Sequence, residues 1–69
     1  MRDMLMLKRR KAKLSQKELG ERLGVSGQTI SEWERGNRLP SLTPRQTSDL
    51  CRALSVSLDE LVVLFDEVD

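Results

Sequence analysis

The chain has 69 residues, of which 38% are apolar, and a chain this short supports one modest hydrophobic core and therefore a single domain over residues 1–69. It contains two prolines and two aromatic residues, Trp33 and Phe65, which leaves little turn chemistry for a β-sandwich or barrel. The expected fold class is all-α.

The residue types argue against an enzyme and against a metal site. The sequence has no histidine, no tyrosine and a single cysteine, Cys51, so Ser-His and Cys-His catalysis and His-ligated metals lack their parts. We therefore expect no enzymatic activity, no metal and no cofactor. We interpret Cys51 as a buried, inert side chain and not as a redox switch.

The same composition predicts a soluble protein in a reducing compartment. A lone cysteine forms no internal disulfide, and a secreted domain of this size usually needs several disulfides. The apolar run at residues 4–7 is too short for a signal peptide or a membrane span. We expect a cytoplasmic protein with no membrane partner.

Charge is divided unevenly along the chain, although the net charge is only +1. Residues 1–40 hold ten basic and five acidic side chains, whereas residues 41–69 hold two basic and six acidic ones. A basic first part indicates a polyanionic partner that meets one face of the molecule. The alternative is chance clustering, with the basic residues 8–13 as a solvated helix face.

Five helices are predicted, each from a capping residue and an apolar stripe. A serine, threonine or aspartate before the first turn accepts orphan backbone N–H groups, and a glutamate three residues later completes a capping box. Glycine favours helix ends, since it takes the left-handed conformation without steric cost. These signals predict helices from the cap Asp3 to about Lys13, from 16 to 23, from 27 to 35, from the Thr43 and Pro44 start to 54, and from about 58 to 67.

Apolar residues recur at helical spacing and define the expected core. On the first helix Arg9 shares the inner stripe with Leu5 and Ala12, which is unusual for a charged residue. The later helices and turns contribute Leu19, Leu23, Val25, Ile30, Trp33, Leu50, Ala53 and Leu54.

The second and third helices are short and are joined by a three-residue turn led by Gly24, which matches the geometry of a helix-turn-helix. A small residue is needed where the two helices approach most closely, and the sequence has Gly20 there. Glycine inside a helix costs ~0.5–1 kcal/mol relative to alanine, so we expect a close packing contact to explain it.

One set of residues carries a family resemblance: Ser15, Gln16, Leu19, Gly20, Gly24, Val25, Ser26, Ile30, Ser31, Trp33, Glu34 and Gly36, closed by Pro40. In these the chain resembles the phage-repressor and Cro type (XRE-like) helix-turn-helix family over residues 5 to about 61. The resemblance implies a five-helix, lambda-repressor-like domain with its helix-turn-helix core at about 16–35. It also implies binding of duplex DNA, usually as a dimer, and control of transcription in bacteria and phages.

Three features depart from the family's pattern. Gly20 stands where alanine is usual, and residues 42–46 lengthen the connection to the fourth helix. Gly27 has no side chain at a position of the third helix that often reads a base.

By this resemblance the third helix, residues 27–35, is the recognition helix, with its N-terminal end in the major groove. The side-chain amide of Gln28 can form two hydrogen bonds to adenine, and Thr29 can contact a thymine methyl group or a phosphate. Glu32, one turn after Gln28, repels phosphates but can accept a hydrogen bond from cytosine. Ser31 completes the predicted base-reading set, on the side facing away from the core.

Other side chains are expected to hold the sugar-phosphate backbone and to fix the register of binding without reading sequence. Helix N-termini attract phosphates through their free amides and their dipole. The predicted set comprises Gln16, Lys17 and Ser26 at the starts of the second and third helices, and Arg35, Asn37 and Arg38 at and after the end of the third.

Arg9 and Glu34 are interpreted as structural residues. Each lies on an otherwise inward-facing stripe, and the family resemblance implies an ion pair between them that joins the first helix to the end of the third. Removing one partner of such a buried pair costs ~3–5 kcal/mol.

The fifth helix carries more apolar surface than one side of a terminal helix needs. We therefore expect a C2 homodimer through this helix, with Leu61, Leu64, Phe65 and Val68 in its interface. Two recognition helices in such a dimer would read half-sites about 10–10.5 bp apart. The alternative is a tail whose extra apolar residues complete the core.

The sequence thus indicates a sequence-specific regulator of transcription that binds double-stranded DNA, a homodimeric repressor of a near-palindromic operator, encoded by a bacterium or phage and associated with the nucleoid. The alternative is a protein-interaction adaptor or antitoxin-like partner module that keeps the fold and reads DNA weakly or not at all. Gly27, Glu32 and the apolar fifth helix favour the adaptor, and the basic first part and Gln28 count against it. A regulatory protein partner is compatible with both hypotheses.

Overall fold

The computed structural model describes residues 3–66 of the chain. Over these residues the chain forms five α-helices and no strand: α1 (Asp3–Lys11), α2 (Gln16–Leu23), α3 (Gly27–Arg35), α4 (Pro44–Leu54) and α5 (Leu58–Asp66). The all-α, five-helix architecture predicted from the capping and apolar patterns is confirmed.

The first helix ends earlier than its apolar stripe predicted, at Lys11 and not at about Lys13. Lys13 adopts the left-handed conformation with φ 61°, and its N–H donates to the carbonyl of Arg10 at 2.9 Å. The N–H of Leu14 donates to the carbonyl of Arg9 at 3.2 Å. These bonds close the last turn of the helix, so the chain leaves the helix axis before Lys13. The predicted end of the fifth helix at residue 67 lies outside the described residues.

Residues 42–46, which lengthen the connection between the third and fourth helices in the sequence, include the start of α4. Thr43 and Gln46 form a capping box, in which the Thr43 hydroxyl accepts from the Gln46 N–H at 3.1 Å and the Gln46 side chain accepts from the Thr43 N–H at 2.9 Å. The same Gln46 side chain donates to the carbonyl of Leu23 at 3.0 Å. Most of residues 42–46 therefore belong to the helix start, which is tied to the end of α2.

The core lies where α4 packs against α1, α2 and α5, while α2 packs on α3. Leu5, Leu19, Ile30 and Leu50 are fully buried, each from a different helix. Phe65 is half-buried, and its ring meets that of Trp33 edge to face, with the centroids 6.1 Å apart and the planes at 89°. A ring pair of this geometry is favourable beyond the area it buries, and it anchors α5 beside α3.

Candidate nucleic-acid interface

Gly20 of α2 packs tightly against the turn that leads into α3, and the close contact predicted for a small residue is found there. A Cβ at Gly20 would lie 2.5 Å from the carbonyl oxygen of Val25 and 3.0 Å from the carbonyl carbon of Ser26. The turn between the helices bonds to the same place, because the N–H groups of Gly24 and Val25 donate to the Gly20 carbonyl. Gly24 has φ 75°, the left-handed conformation that favours glycine. The glycines thus allow the turn between the two helices to pack closely on α2.

The first turn of α2 is fixed by a complete capping box. The Ser15 hydroxyl accepts from the Glu18 N–H at 3.0 Å, and the Glu18 carboxylate accepts from the Ser15 N–H at 2.9 Å. The hydrogen bond from the Ser15 backbone N–H is the main reason that the pKa of Glu18 lies below its ordinary value, since it favours the ionised carboxylate.

The first turn of α3 begins beside the first turn of α2. Ser26 caps α3, since its hydroxyl accepts from the Thr29 N–H at 3.1 Å, and it lies 3.0 Å from the Thr29 hydroxyl. A Cβ on Gly27 would lie 3.1 Å from both the Cα and the backbone nitrogen of Lys17. The absence of a side chain at Gly27 therefore lets two helix N-termini meet, and each N-terminus attracts anions.

The outer face of α3 exposes fewer of the predicted base-reading residues than the sequence indicated. Gln28 is exposed, and Thr29 and Glu32 are half-buried. The expectation that Ser31 faces away from the core is wrong, because Ser31 is 8% exposed. The accessible set on this face is therefore Gln28, Thr29 and Glu32.

Five of the six residues predicted to hold the DNA backbone are exposed: Lys17, Ser26, Arg35, Asn37 and Arg38. The sixth, Gln16, is half-buried, and its amide nitrogen donates to a carboxylate oxygen of Glu34 at 3.1 Å. In the basic segment, Arg10, Lys11 and Lys13 are exposed.

Arg9 and Glu34 form a two-pronged ion pair between α1 and α3. Arg9 Nε donates to Glu34 Oε2 at 2.6 Å and Arg9 Nη2 donates to Glu34 Oε1 at 3.2 Å. Arg9 Nη1 also donates to the carbonyl of Leu14 at 2.9 Å. The residues are 8% and 7% exposed, so the pair lies within the folded chain and is held from several sides. With the Gln16 bond, it connects the start of α2 to the end of α3.

Sequence reasoning missed a second, exposed ion pair on the outer face of α3. Arg38 Nη1 lies 3.5 Å from Glu32 Oε1. The signal for it was the helix-ending Gly36, which turns the chain back toward Glu32.

The predicted dimer surface on α5 needs correction. Leu61 and Leu64 are 5% and 3% exposed and belong to the core of the monomer, so the expectation that they line an open surface is wrong. Phe65 is half-buried, and Val68 lies outside the described residues. The exposed apolar residues of α5 are instead Leu58, Val62 and Val63.

Two of these exposed residues, Leu58 and Val62, line an apolar groove. It lies between α5, α4 and the segment before α4, and its apolar lining includes Leu39, Pro40, Leu42, Leu58, Val62 and Phe65. The periodicity of α5 showed that the helix had surplus apolar surface, but the packing against the core decides which side carries it.

Other kinds of site find little support in residues 3–66. In that part of the chain, no three histidine, cysteine or acidic side chains come together as metal ligands. None of the described helices has the length and apolar character needed to cross a membrane. Cys51 is a free cysteine that is half-buried against the core, and so less covered than the sequence indicated.

Comparison with known proteins identifies the motif. A helix-turn-helix family model matches residues 5–61. The chain belongs to this helix-turn-helix family. The match begins in α1 and ends in α5, so the family pattern spans all five helices, and the resemblance to XRE-like helix-turn-helix proteins is confirmed.

A similar protein among the curated relatives is an uncharacterized HTH-type transcriptional regulator, YgzD of Bacillus subtilis (strain 168). It is 36% identical to this helix-turn-helix chain over 53 residues, which cover 77% of each protein. No solved structure matches the chain at a significant level.

Proposed function

We propose that the chain is a transcription regulator that binds double-stranded DNA through α3. The observation that carries the proposal is the exposed face of α3 with Gln28 at its start. This face is bordered by Lys17 of α2 at one end and by Arg38 at the other. A polar face on a capped helix, with cations at both ends, suits the major groove and the phosphates that flank it. Membership of the helix-turn-helix family and the relative's description as a transcriptional regulator support the same function.

The paired helix starts supply the phosphate contacts in this proposal. The N-termini of α2 and α3 meet at Gly27, so free amides of both helices lie close together, and their dipoles favour an anion. Lys17 and Ser26 add side-chain donors at the same place. Asn37 and Arg38 contact phosphates near the other end of α3. Gln16 contacts a phosphate through its backbone N–H, or through its side chain after that side chain has released Glu34. These contacts fix the register of α3 in the groove.

Base reading depends chiefly on Gln28. Its exposed amide can make two hydrogen bonds to adenine, which is worth ~1–3 kcal/mol of discrimination against another base. Thr29 is half-buried and bonded to Ser26, which leaves its methyl group for a thymine contact or its hydroxyl for a phosphate. Gly27 reads nothing, so we expect short half-sites with few specified bases.

We further propose that the regulator is a homodimeric repressor of a near-palindromic operator. The exposed apolar residues Leu58, Val62 and Val63, together with the adjacent groove, supply a surface that a second copy would cover. The chain then works by occupying its operator in the cytoplasm, in association with the nucleoid. It acts without enzymatic activity or cofactor.

Selection from a random duplex library tests the DNA-binding proposal. The purified chain is incubated with the library at about 150 mM salt and again at lower salt, because phosphate contacts weaken as salt rises. We expect an enriched inverted repeat with half-sites about one helical turn apart. Gln28→Ala should lose one base preference and keep the melting temperature of the wild type. Salt-sensitive binding without any enriched motif would contradict sequence-specific regulation.

Sedimentation velocity tests the homodimer. We expect a dimer that Val62→Asp converts to a monomer, since Val62 lines the groove and a charge would enter the apolar contact. Val62 is 50% exposed, so the variant should fold. The matched control is Leu7→Asp on α1, where an equally large change on a 53% exposed residue should leave the dimer intact. A wild-type chain that stays monomeric at high micromolar concentration would contradict the homodimer.

The second candidate is a protein-interaction adaptor or antitoxin-like module with weak DNA reading. The observation that favours it is the apolar groove between α5 and the segment before α4, which would take a regulatory protein partner in place of a second copy. The library selection distinguishes the two functions, since an adaptor enriches no motif.

A further inference from the structure

The outer face of α3 carries an acidic side chain, Glu32, where bound DNA would bring phosphates close. Its carboxylate lies 3.5 Å from Nη1 of Arg38, and the two side chains are 31% and 56% exposed. Both groups therefore lie on the surface that α3 presents, and neither is part of the core. A carboxylate repels phosphates, so an acidic side chain on this face is unexpected in a protein that binds DNA.

The way α3 ends brings the two residues together. Gly36 takes the left-handed conformation, with φ 79° and ψ 9°, and its N–H donates to the carbonyl of Trp33 at 3.1 Å. The N–H of Asn37 reaches back to the carbonyl of Glu32 at 3.0 Å. This helix cap folds the chain back over the last turn, so Arg38, the next residue, comes beside Glu32. The position of Arg38 is thus set by backbone hydrogen bonds at the helix end.

Glu32 lies one helical turn after Gln28 and shares its side of α3. An uncompensated carboxylate there would repel phosphates. With Arg38 beside it, the charge is balanced while the carboxylate keeps free lone pairs. The major groove offers amino donors on adenine and on cytosine, but the adenine amino group lies beside the acceptor N7, which repels a carboxylate, so the donor that suits Glu32 is the amino group of cytosine. A guanidinium has five N–H donors in a planar fork. Arg38 can therefore keep its ion pair with Glu32 and still donate a hydrogen bond to a phosphate.

We propose that Arg38 is a positioning residue for Glu32: it bridges the Glu32 carboxylate and a DNA phosphate, and thereby makes Glu32 a reader of cytosine. The inference rests on the proposed DNA-binding function and deepens it, because it assigns the specificity of one base pair to two residues acting together. An exposed pair at this distance adds little to the stability of the free protein. Its effect belongs to the complex, where phosphates surround it and water is displaced.

A double-mutant cycle on DNA binding tests the proposal. The probe is the duplex that the wild-type chain enriches from the random library, and the variants are Glu32→Gln, Arg38→Ala and both together. We expect Arg38→Ala to weaken binding at least about fivefold more in the wild-type background than in the Glu32→Gln background, a coupling typical of groups in contact. Repeating the library selection with each single variant should remove the same cytosine preference.

Arg35→Ala is the matched control, because Arg35 is an exposed arginine in the last turn of α3. Its effect on binding should be additive with that of Glu32→Gln, within about twofold. All variants should melt within a few degrees of the wild type, since the changed residues lie outside the core and an exposed ion pair adds little to stability.

The outcomes separate this inference from the function on which it rests. If the wild type enriches a motif but the effects of Arg38→Ala and Glu32→Gln are additive, or if Arg38→Ala keeps the cytosine preference, the positioning role of Arg38 is overturned while regulation stands. If the wild type enriches no motif, the proposed function is overturned, and the role of Arg38 with it.

Discussion

Breaking the buried ion pair between Arg9 and Glu34 is expected to destabilise the whole domain. Arg9 is only 8% exposed in the wild-type chain, and in Glu34→Ala its guanidinium loses both carboxylate contacts, at 2.6 and 3.2 Å. A buried charge left without its partner costs ~3–5 kcal/mol. Chains of this length are stable by only ~3–10 kcal/mol, so the loss is comparable to the whole stability. For a domain of 60–100 residues it lowers the melting temperature by about 12 °C or more.

The assay is thermal and urea unfolding followed by circular dichroism, on Arg9→Ala, Glu34→Ala and the double variant Arg9→Met/Glu34→Leu. Both single variants should lose stability at an unchanged slope with urea, which shows that the compactness of the two states is unchanged. The double variant should recover most of the loss, because it removes both charges and keeps apolar volume. Gln16 is half-buried, so water can replace its lost bond to Glu34.

The exposed pair of Glu32 and Arg38 is the internal control. Its atoms lie 3.5 Å apart with both side chains partly in solvent, and such pairs contribute ~0.2–1 kcal/mol. Glu32→Ala should therefore change stability by no more than this amount. If Arg9→Ala and Glu34→Ala also cost less than about 1 kcal/mol, the reasoning that burial makes the first pair indispensable is refuted.

Three further predictions concern the helix contacts. Gly20→Ala should lower the melting temperature, because its Cβ would lie 2.5 Å from the backbone oxygen of Val25. Such overpacking costs ~1–3 kcal/mol, which exceeds the ~1 kcal/mol that alanine gains in helix propensity. A variant more stable than the wild type would contradict the close contact between Gly20 and the turn. Glu18→Ala should lower the melting temperature at neutral pH, and the difference from the wild type should shrink as the pH falls below 4.5. The Ser15 N–H lowers the pKa of Glu18 from that value, so its stabilisation is lost as the carboxylate of the folded chain protonates. A difference that does not depend on pH would argue against the capping box as its cause. Gln46→Ala should lower the free energy of unfolding, measured in urea, by ~1–2 kcal/mol, because it removes a capping bond and the bond to the Leu23 carbonyl. An unchanged free energy of unfolding would mean that neither hydrogen bond stabilises α4.

The helix starts could be predicted from the sequence because their causes are local. Ser15, Ser26 and Thr43 each accept a backbone N–H three residues ahead, and such contacts need no knowledge of the rest of the fold. The close contact at Gly20 could also be inferred, since a glycine inside a helix needs a packing reason. The end of α1 was harder, because the left-handed turn uses Lys13, a residue with no such preference.

Burial on the flanks of helices could not be predicted, because it depends on which neighbours pack there. Ser31 looked solvent-facing on its own helix, yet it is covered in the folded chain. On α5 the spacing of Leu61 and Leu64 fits an exposed stripe as well as a buried one. The edge-to-face contact of Phe65 with Trp33 is part of the packing that settles the rotation of the helix, and it brings together residues 32 positions apart in the chain.

An NMR titration tests the central claim, that α3 and the start of α2 form the DNA-binding surface, most directly. The ¹⁵N-labelled chain is titrated with the enriched duplex, and amide shift changes are mapped onto the helices. We predict that the largest changes fall on Lys17, Gln28, Thr29, Glu32 and Arg38, with small changes on α4. Changes confined to α5 and the apolar groove, with the amides of α3 unaffected, would contradict the account.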